Sequence, residues 1–137
     1  MKQIIEKIIF ETSPCQIINI TKNINEILKK TNIKQGLLNL SVLHTSCSLM
    51  IQENADKTVM LDVRQFLDKI APEDDYLHNS EGPDDMPAHL KSLLTQTNLT
   101  LSIRKNILIL GTWQGIFLLE HRNANKRREV FFHLIGD

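Results

Sequence analysis

The apolar positions of this chain change period four times, passing twice from strand-like alternation to helical spacing and back again. Gln3 to Glu11 is rich in isoleucine and closed off by Ser13-Pro14, which predicts a strand. Cys15 to Ile20 predicts a second, shorter strand as its hairpin partner. Thr21 reads as the N-cap of a helix in which Ile24, Ile27 and Leu28 share one face before Asn32 and Gly36 end it. Leu37 to Leu43 predicts a strand with Leu38, Leu40 and Val42 on one face and Asn39 and Ser41 on the other. His44 has the parity of the apolar face and is expected to point inward at the strand's end. In the next strand Leu49 and Ile51 set the inward parity, and Glu53 shares it. A helix should begin at Asn54–Asp56, carry Val59, Val63, Phe66, Leu67 and Ile70 as one apolar stripe, and stop at Pro72.

Beyond Gly82-Pro83 a further helix is expected, with Asp84 or Asp85 as its cap and Pro87 in its first turn. Met86, Leu90, Leu93 and Leu94 would form its core-facing side. From Gln96 onward the pattern is again that of strands. Leu99, Leu101 and Ile103 alternate with Thr100, Ser102 and Arg104, Asn106 turns the chain into Ile107–Leu110, and a glycine-flanked connection at 111–115 leads into 116–122. Val130 to Ile135 is the last strand, with His133 between core and a partner surface. Strands at both ends with helices inserted mid-chain predict an α+β fold, one domain over residues 1–137, built on a largely antiparallel sheet.

Composition narrows the function classes. Sixteen basic residues balance sixteen acidic ones, so no global field steers the chain to nucleic acid or to an anionic membrane. Lys126, Arg127 and Arg128 form the one basic run and are expected in an exposed turn before the last strand. The isoleucines of the first segment are interrupted by Glu6 and Lys7, and no later apolar run approaches the roughly 18 residues of a membrane span. A soluble, cytoplasmic protein is expected. Cys15 and Cys47, with no CxxC pair, indicate neither a disulfide framework nor a thiol-zinc site.

Chemistry concentrates between Ile70 and Leu90, where Glu73, Asp74, Asp75, Glu81, Asp84 and Asp85 accompany His78 and His89 without any Lys or Arg. Solvation of an ordinary loop accounts for such crowding, and so does a metal ion or a cationic substrate. Asp85 and His89 stand four apart on one side of the predicted helix, as a capping Asp beside a boundary His, as a carboxylate orienting an imidazole, or as two ligands of one ion. The hydroxyl-rich turn His44-Thr45-Ser46 has side chains and amides suited to a phosphate or carboxylate, as an ordinary turn also would. Glu53 is a candidate acid/base because a carboxylate on a strand's inward side must be paired, liganding or protonated.

Three segments together resemble one family. They are His44-Thr45-Ser46-Cys47-Ser48-Leu49 through Gln52-Glu53-Asn54-Ala55-Asp56, the stretch from Asp74 to Leu90, and Gly111-Thr112-Trp113-Gln114-Gly115-Ile116 with Glu120-His121-Arg122. The chain is similar along essentially its whole length to the YjbQ-like (UPF0047) proteins, with Cys47 standing where alanine is more usual. The resemblance implies a compact, sandwich-like protomer that forms a homotrimer, and a weak, secondary thiamine-phosphate synthase activity. It points to His44, His78 and His89 as metal-binding histidines of a shared site, suited to a divalent metal, zinc first and magnesium as the alternative. Glu53 and Asp85 are then acid/base or orienting groups, while Thr45, Ser46 and Arg122 would bind the anion of a small phosphorylated molecule. Arg122 could instead simply pair with Glu120 along one strand face. Two function classes follow: an enzyme on a phosphorylated substrate, whether synthase or metal-dependent hydrolase, and a non-catalytic homotrimeric metal- or anion-binding protein.

Overall fold

β1 (Lys2–Thr12) and β8 (Lys126–Gly136) pair antiparallel along their whole length, from Lys2 opposite Gly136 to Thr12 opposite Lys126. The structure is a computed structural model and describes every residue from Met1 to Asp137. Between the end strands come β2 (Ile17–Asn19), α1 (Thr21–Lys30), β3 (Gln35–Val42), β4 (Cys47–Glu53), α2 (Lys57–Ile70), α3 (Asp85–Leu94), β5 (Asn98–Arg104), β6 (Ile107–Leu108) and β7 (Gln114–Glu120). A five-stranded sheet runs β1-β8-β3-β5-β6 and a three-stranded sheet runs β2-β7-β4, every pairing antiparallel. The fold is α+β. None of its helices is long and apolar enough to cross a membrane.

The core lies between the two sheets and α1. Ile24 and Leu28 of α1, Leu38 and Leu40 of β3, Leu49 of β4, Leu118 of β7 and Phe132 of β8 are all fully buried in one cluster. Each such side chain contributes roughly 1.5–3 kcal/mol relative to exposure. β5 keeps the expected alternation, with Leu99, Leu101 and Ile103 buried and Thr100, Ser102 and Arg104 exposed. The turn after it holds Lys105 and Asn106 at φ 53° and 62°, the left-handed pair of a tight hairpin, for which asparagine is well suited. At the far end of the sheet Gly36 faces Gly136 across β3 and β8. A Cβ on either glycine would lie 2.0 Å from a carbonyl oxygen of the opposite strand.

Several expectations are corrected. β2 does not form a hairpin with β1; it joins β7 in the other sheet, with Ile17 opposite Leu119. Thr21 is the first helical residue rather than the cap, and its Oγ1 accepts the Ile116 amide at 2.8 Å, tying α1 to β7. α2 is capped by Asp56, whose carboxylate accepts the Thr58 amide, but only Leu67 of its apolar stripe is fully buried. Phe66 and Ile70 are exposed. In α3 the predicted core side is reversed. Leu93 and Leu94 are exposed, whereas Asp85, Pro87, Ala88, Lys91 and Ser92 are buried. Hydrogen bonds explain the reversal: Ser92 Oγ donates to the Cys47 carbonyl on β4 at 3.1 Å and Lys91 Nζ donates to Asp68 of α2 at 2.6 Å. The basic run is not a solvated turn either. β8 starts at Lys126, and Arg128 is buried because it reaches Glu120 on β7.

Candidate functional site

Asp85, at the first turn of α3, is almost completely buried, and both of its oxygens are occupied. Oδ1 accepts from Arg122 Nη1 at 2.7 Å. Oδ2 lies 2.6 Å from His78 Nε2 and 3.2 Å from His89 Nε2. Burial alone would raise this carboxyl, yet the hydrogen bond with His78 and the charges of His89 and Arg122 hold it below the ordinary carboxylate range. One buried anion therefore organises an arginine and two imidazoles.

His89, one turn along α3, donates Nδ1–H to the Thr45 carbonyl at 2.8 Å. A carbonyl only accepts, so Nδ1 carries a proton, and the ring in its neutral form presents the Nε2 lone pair toward Asp85. A lone pair facing a carboxylate oxygen is repulsive. The contact becomes favourable only with a cation between them, either a proton on Nε2 or a metal ion. His78, Asp85 and His89 place three ligand atoms within 4.8 Å of one another, and the two rings sit 5.4 Å apart between centroids. Zinc bonds of 2.0–2.2 Å would set ligand atoms about 3.4 Å apart, so both imidazole nitrogens, at 2.6 and 3.2 Å from Asp85 Oδ2, would move outward by less than about 1 Å to share an ion.

His44, Thr45, His78, Met86, His89, Ser92, Leu93 and Thr97 line a cavity of about 520 Å³ over this trio. His44 shares the cavity but lies outside the trio. Its Nε2 accepts the Glu129 amide at 2.7 Å, which leaves Nδ1 as the ring's N–H donor and removes Nε2 as a metal ligand in this arrangement. Burial and the nearby Arg128 charge keep that imidazole below its ordinary 6.5.

The remaining predicted residues divide. Thr45 lines the cavity and orients His89. Ser46 turns inward, where its Oγ and carbonyl accept from Arg128 Nη2 at 3.0 and 3.1 Å. Arg122 is held by protein through three of its five N–H groups, donating from Nε to Asp84 at 3.0 Å, from Nη1 to Asp85 and from Nη2 to the Glu81 carbonyl at 2.9 Å. It fixes the loop and Asp85 rather than presenting a free clamp, and its side chain does not pair with Glu120. Glu53 ends β4 opposite Gln114, six residues from Cys47, so it lies about 20 Å along the strand from the end nearest the site.

Beneath lies a layer of which the sequence singles out Glu120 only as a possible partner of Arg122, not of Arg128. Glu120, fully buried, accepts from Thr12 Oγ1 at 2.6 Å, from Arg128 Nε at 2.7 Å and Nη2 at 2.5 Å, and from the Arg122 amide at 3.0 Å. Burial would raise the carboxyl, but the Arg128 and Thr12 hydrogen bonds pull it below its ordinary value. The local signal was strand parity, since Glu120 ends the face that Ile116 and Leu118 begin.

His121 is also buried, with Nε2 2.7 Å from Ser48 Oγ. Burial, then the positive charges of Lys91 and Arg64, push its pKa from 6.5 down to about 3. Between those values the unfolded imidazole binds a proton that the folded one refuses, so stability falls as pH falls, by at most about 1.4 kcal/mol per pH unit. His44 adds in the same direction. The urea midpoint is therefore expected to drop from pH 7 to pH 5, and to drop less steeply in His121→Asn. An unchanged slope in that variant would refute the assignment.

Residues 6–137 match the family described as UPF0047 protein YjbQ-like. A UPF0047 protein of Synechocystis sp. is 42% identical over 134 residues, covering 96% of this chain and 91% of that one. The UPF0047 protein YjbQ of Salmonella typhimurium is 45% identical over 106 residues, 77% of each. Among solved structures, a conserved hypothetical protein of Thermus thermophilus is 37% identical with a TM-score of 0.77, covering 93% of this chain and 99% of that one. A YbjQ-like protein of unknown function from Sulfolobus solfataricus superimposes with a TM-score of 0.91 over 99% of both chains at 22% identity, a likeness of fold alone.

Proposed function

This chain belongs to the UPF0047 YjbQ-like family, and within it we propose that His78, Asp85 and His89 hold a divalent ion, zinc before magnesium, at the base of a cavity where a small phosphorylated molecule is hydrolysed. The observation that carries this reading is the His89 geometry: a tautomer set by the Thr45 carbonyl aims Nε2 at the buried Asp85 carboxylate, 3.2 Å away. Imidazole and carboxylate donors suit zinc better than magnesium, which prefers an all-oxygen shell. A bound divalent ion would supply an acidified water and charge to polarise a phosphate oxygen.

The protein's own groups do the positioning. Arg122 holds Asp85, Thr45 holds the His89 ring, and such outer partners set ligand orientation and basicity. His44 Nδ1–H and the Thr45 hydroxyl stand on the cavity wall as hydrogen-bond donors for a substrate oxygen.

A closed, non-catalytic site would take a fourth protein ligand. His44 is the nearest further imidazole on the cavity wall, and its Nε2 is engaged by the Glu129 amide, which favours the open, catalytic alternative. Thiamine-phosphate formation, the secondary activity implied by the family resemblance, would need two anion sites. With the Arg122 charge offset by Asp84 and Asp85, hydrolysis, which needs one anion site, makes the smaller demand on this cavity. A homotrimer is part of the proposal, since subunit contacts would cover Leu61, Phe66 and Ile70, the apolar residues exposed on α2.

The test is the zinc content of the wild-type protein by mass spectrometry after zinc loading and exhaustive dialysis, with native mass measured alongside. About one retained ion per chain is expected. A protein that keeps none would leave the trio as proton-transfer groups only.

A further inference from the structure

We propose that the cavity is built for a singly charged phosphodiester with an apolar substituent, rather than for a phosphomonoester or a pyrophosphate. This inference rests on the metal reading above and deepens it.

The argument is one of charge and wall chemistry. No lysine or arginine lines the cavity. The nearby cationic side chains are each committed to protein carboxylates: Arg122 to Asp84 and Asp85, Arg128 to Glu120, and Lys91 to Asp68 on α2. His44 is neutral, because its Nε2 accepts an amide proton. With Arg122 offset by Asp84, a divalent ion set against the single Asp85 carboxylate leaves one net positive charge. A monoanion cancels that charge, whereas a dianionic monoester or a more highly charged pyrophosphate leaves uncompensated negative charge in a partly desolvated site.

Steric and apolar features agree. Met86 and Leu93 form part of the wall, and Leu93 is 77% exposed, so it offers a rim on which an ester substituent can pack. Hydrolysis then balances simply: water's oxygen bonds to phosphorus, one P–O ester bond breaks, and a proton reaches the departing oxygen to give an alcohol. The other product is a phosphomonoester, which becomes a dianion on losing its second proton. That product matches the site's charge less well than the substrate did, which favours release.

The experiment uses zinc-loaded full-length protein and compares calorimetric binding of diphenyl phosphate, phenyl phosphate and pyrophosphate, with zinc content measured on the same samples. Diphenyl phosphate is expected to bind at least about tenfold more tightly than phenyl phosphate. Leu93→Lys, at an exposed position that does not test folding, should erase or reverse that preference by adding a cation and removing the apolar rim. Phenyl phosphate or pyrophosphate binding the wild type as tightly as the diester would overturn the inference while zinc retention still upheld the metal reading. Loss of zinc from the wild type would fail both.

Discussion

Arg128→Met is expected to lower the unfolding free energy by about 3–5 kcal/mol, the cost of leaving one half of a buried ion pair alone. Glu120 is fully buried and takes two donors from Arg128, while Thr12 and the Arg122 amide supply the rest of its shell. Arg128 also anchors the Ser46 carbonyl and hydroxyl, so the substitution frees acceptors in the turn beside the cavity. The measurement is the denaturant midpoint with its slope, which should not change if the native state stays compact. The double variant Glu120→Gln, Arg128→Met should be destabilised by less than the sum of the two single changes, because it removes the stranded charge. A loss below about 1 kcal/mol for Arg128→Met would show that Glu120 finds water or a proton instead.

His89→Ala should weaken zinc binding by more than the roughly 10–100-fold that losing an outer partner costs. Arg122→Gln should fall within that lower range, since Asp85 would remain but lose its orienting donor. The contrast is informative because both residues touch the same carboxylate from opposite sides, His89 at Oδ2 and Arg122 at Oδ1. Competition against a chromophoric chelator measures both, with circular dichroism confirming that each variant is folded. Wild-type affinity in His89→Ala would remove this imidazole from the ligand set.

Legibility in the sequence followed the range of the interaction. Local signals read well: the alternation of Leu99, Leu101 and Ile103, the helix start at Asn54–Asp56, and the four-residue step from Asp85 to His89 all depend on neighbours within one turn or one strand. Long-range pairing did not. β2 chooses β7, about a hundred residues away, over the adjacent β1, and nothing within Cys15–Ile20 encodes that choice. Arg128 resembled its solvated neighbours Lys126 and Arg127 because charge runs look alike until a buried partner such as Glu120 is located. Leu93 and Leu94 misled because apolar period predicts a core only when hydrophobic contact is what holds the helix. The site shows the same division. The spacing of His78, Asp85 and His89 was suggestive, but the state of His44 depends on the Glu129 amide, and the engagement of Arg122 on a loop some forty residues earlier in the chain.

The reversed face of α3 bears on positional accuracy. Apolar contacts are adhesive and allow small slides at little cost, whereas hydrogen bonds are directional and fail within a fraction of a residue's rise. α3 is seated by the directional kind, through Ser92 on Cys47, Lys91 on Asp68, His89 on Thr45 and Asp85 on Arg122. Its register is therefore all-or-none. A helix shifted by one position would lose these contacts together, so the imidazole at its second turn is indexed to the sheet like a key in its slot.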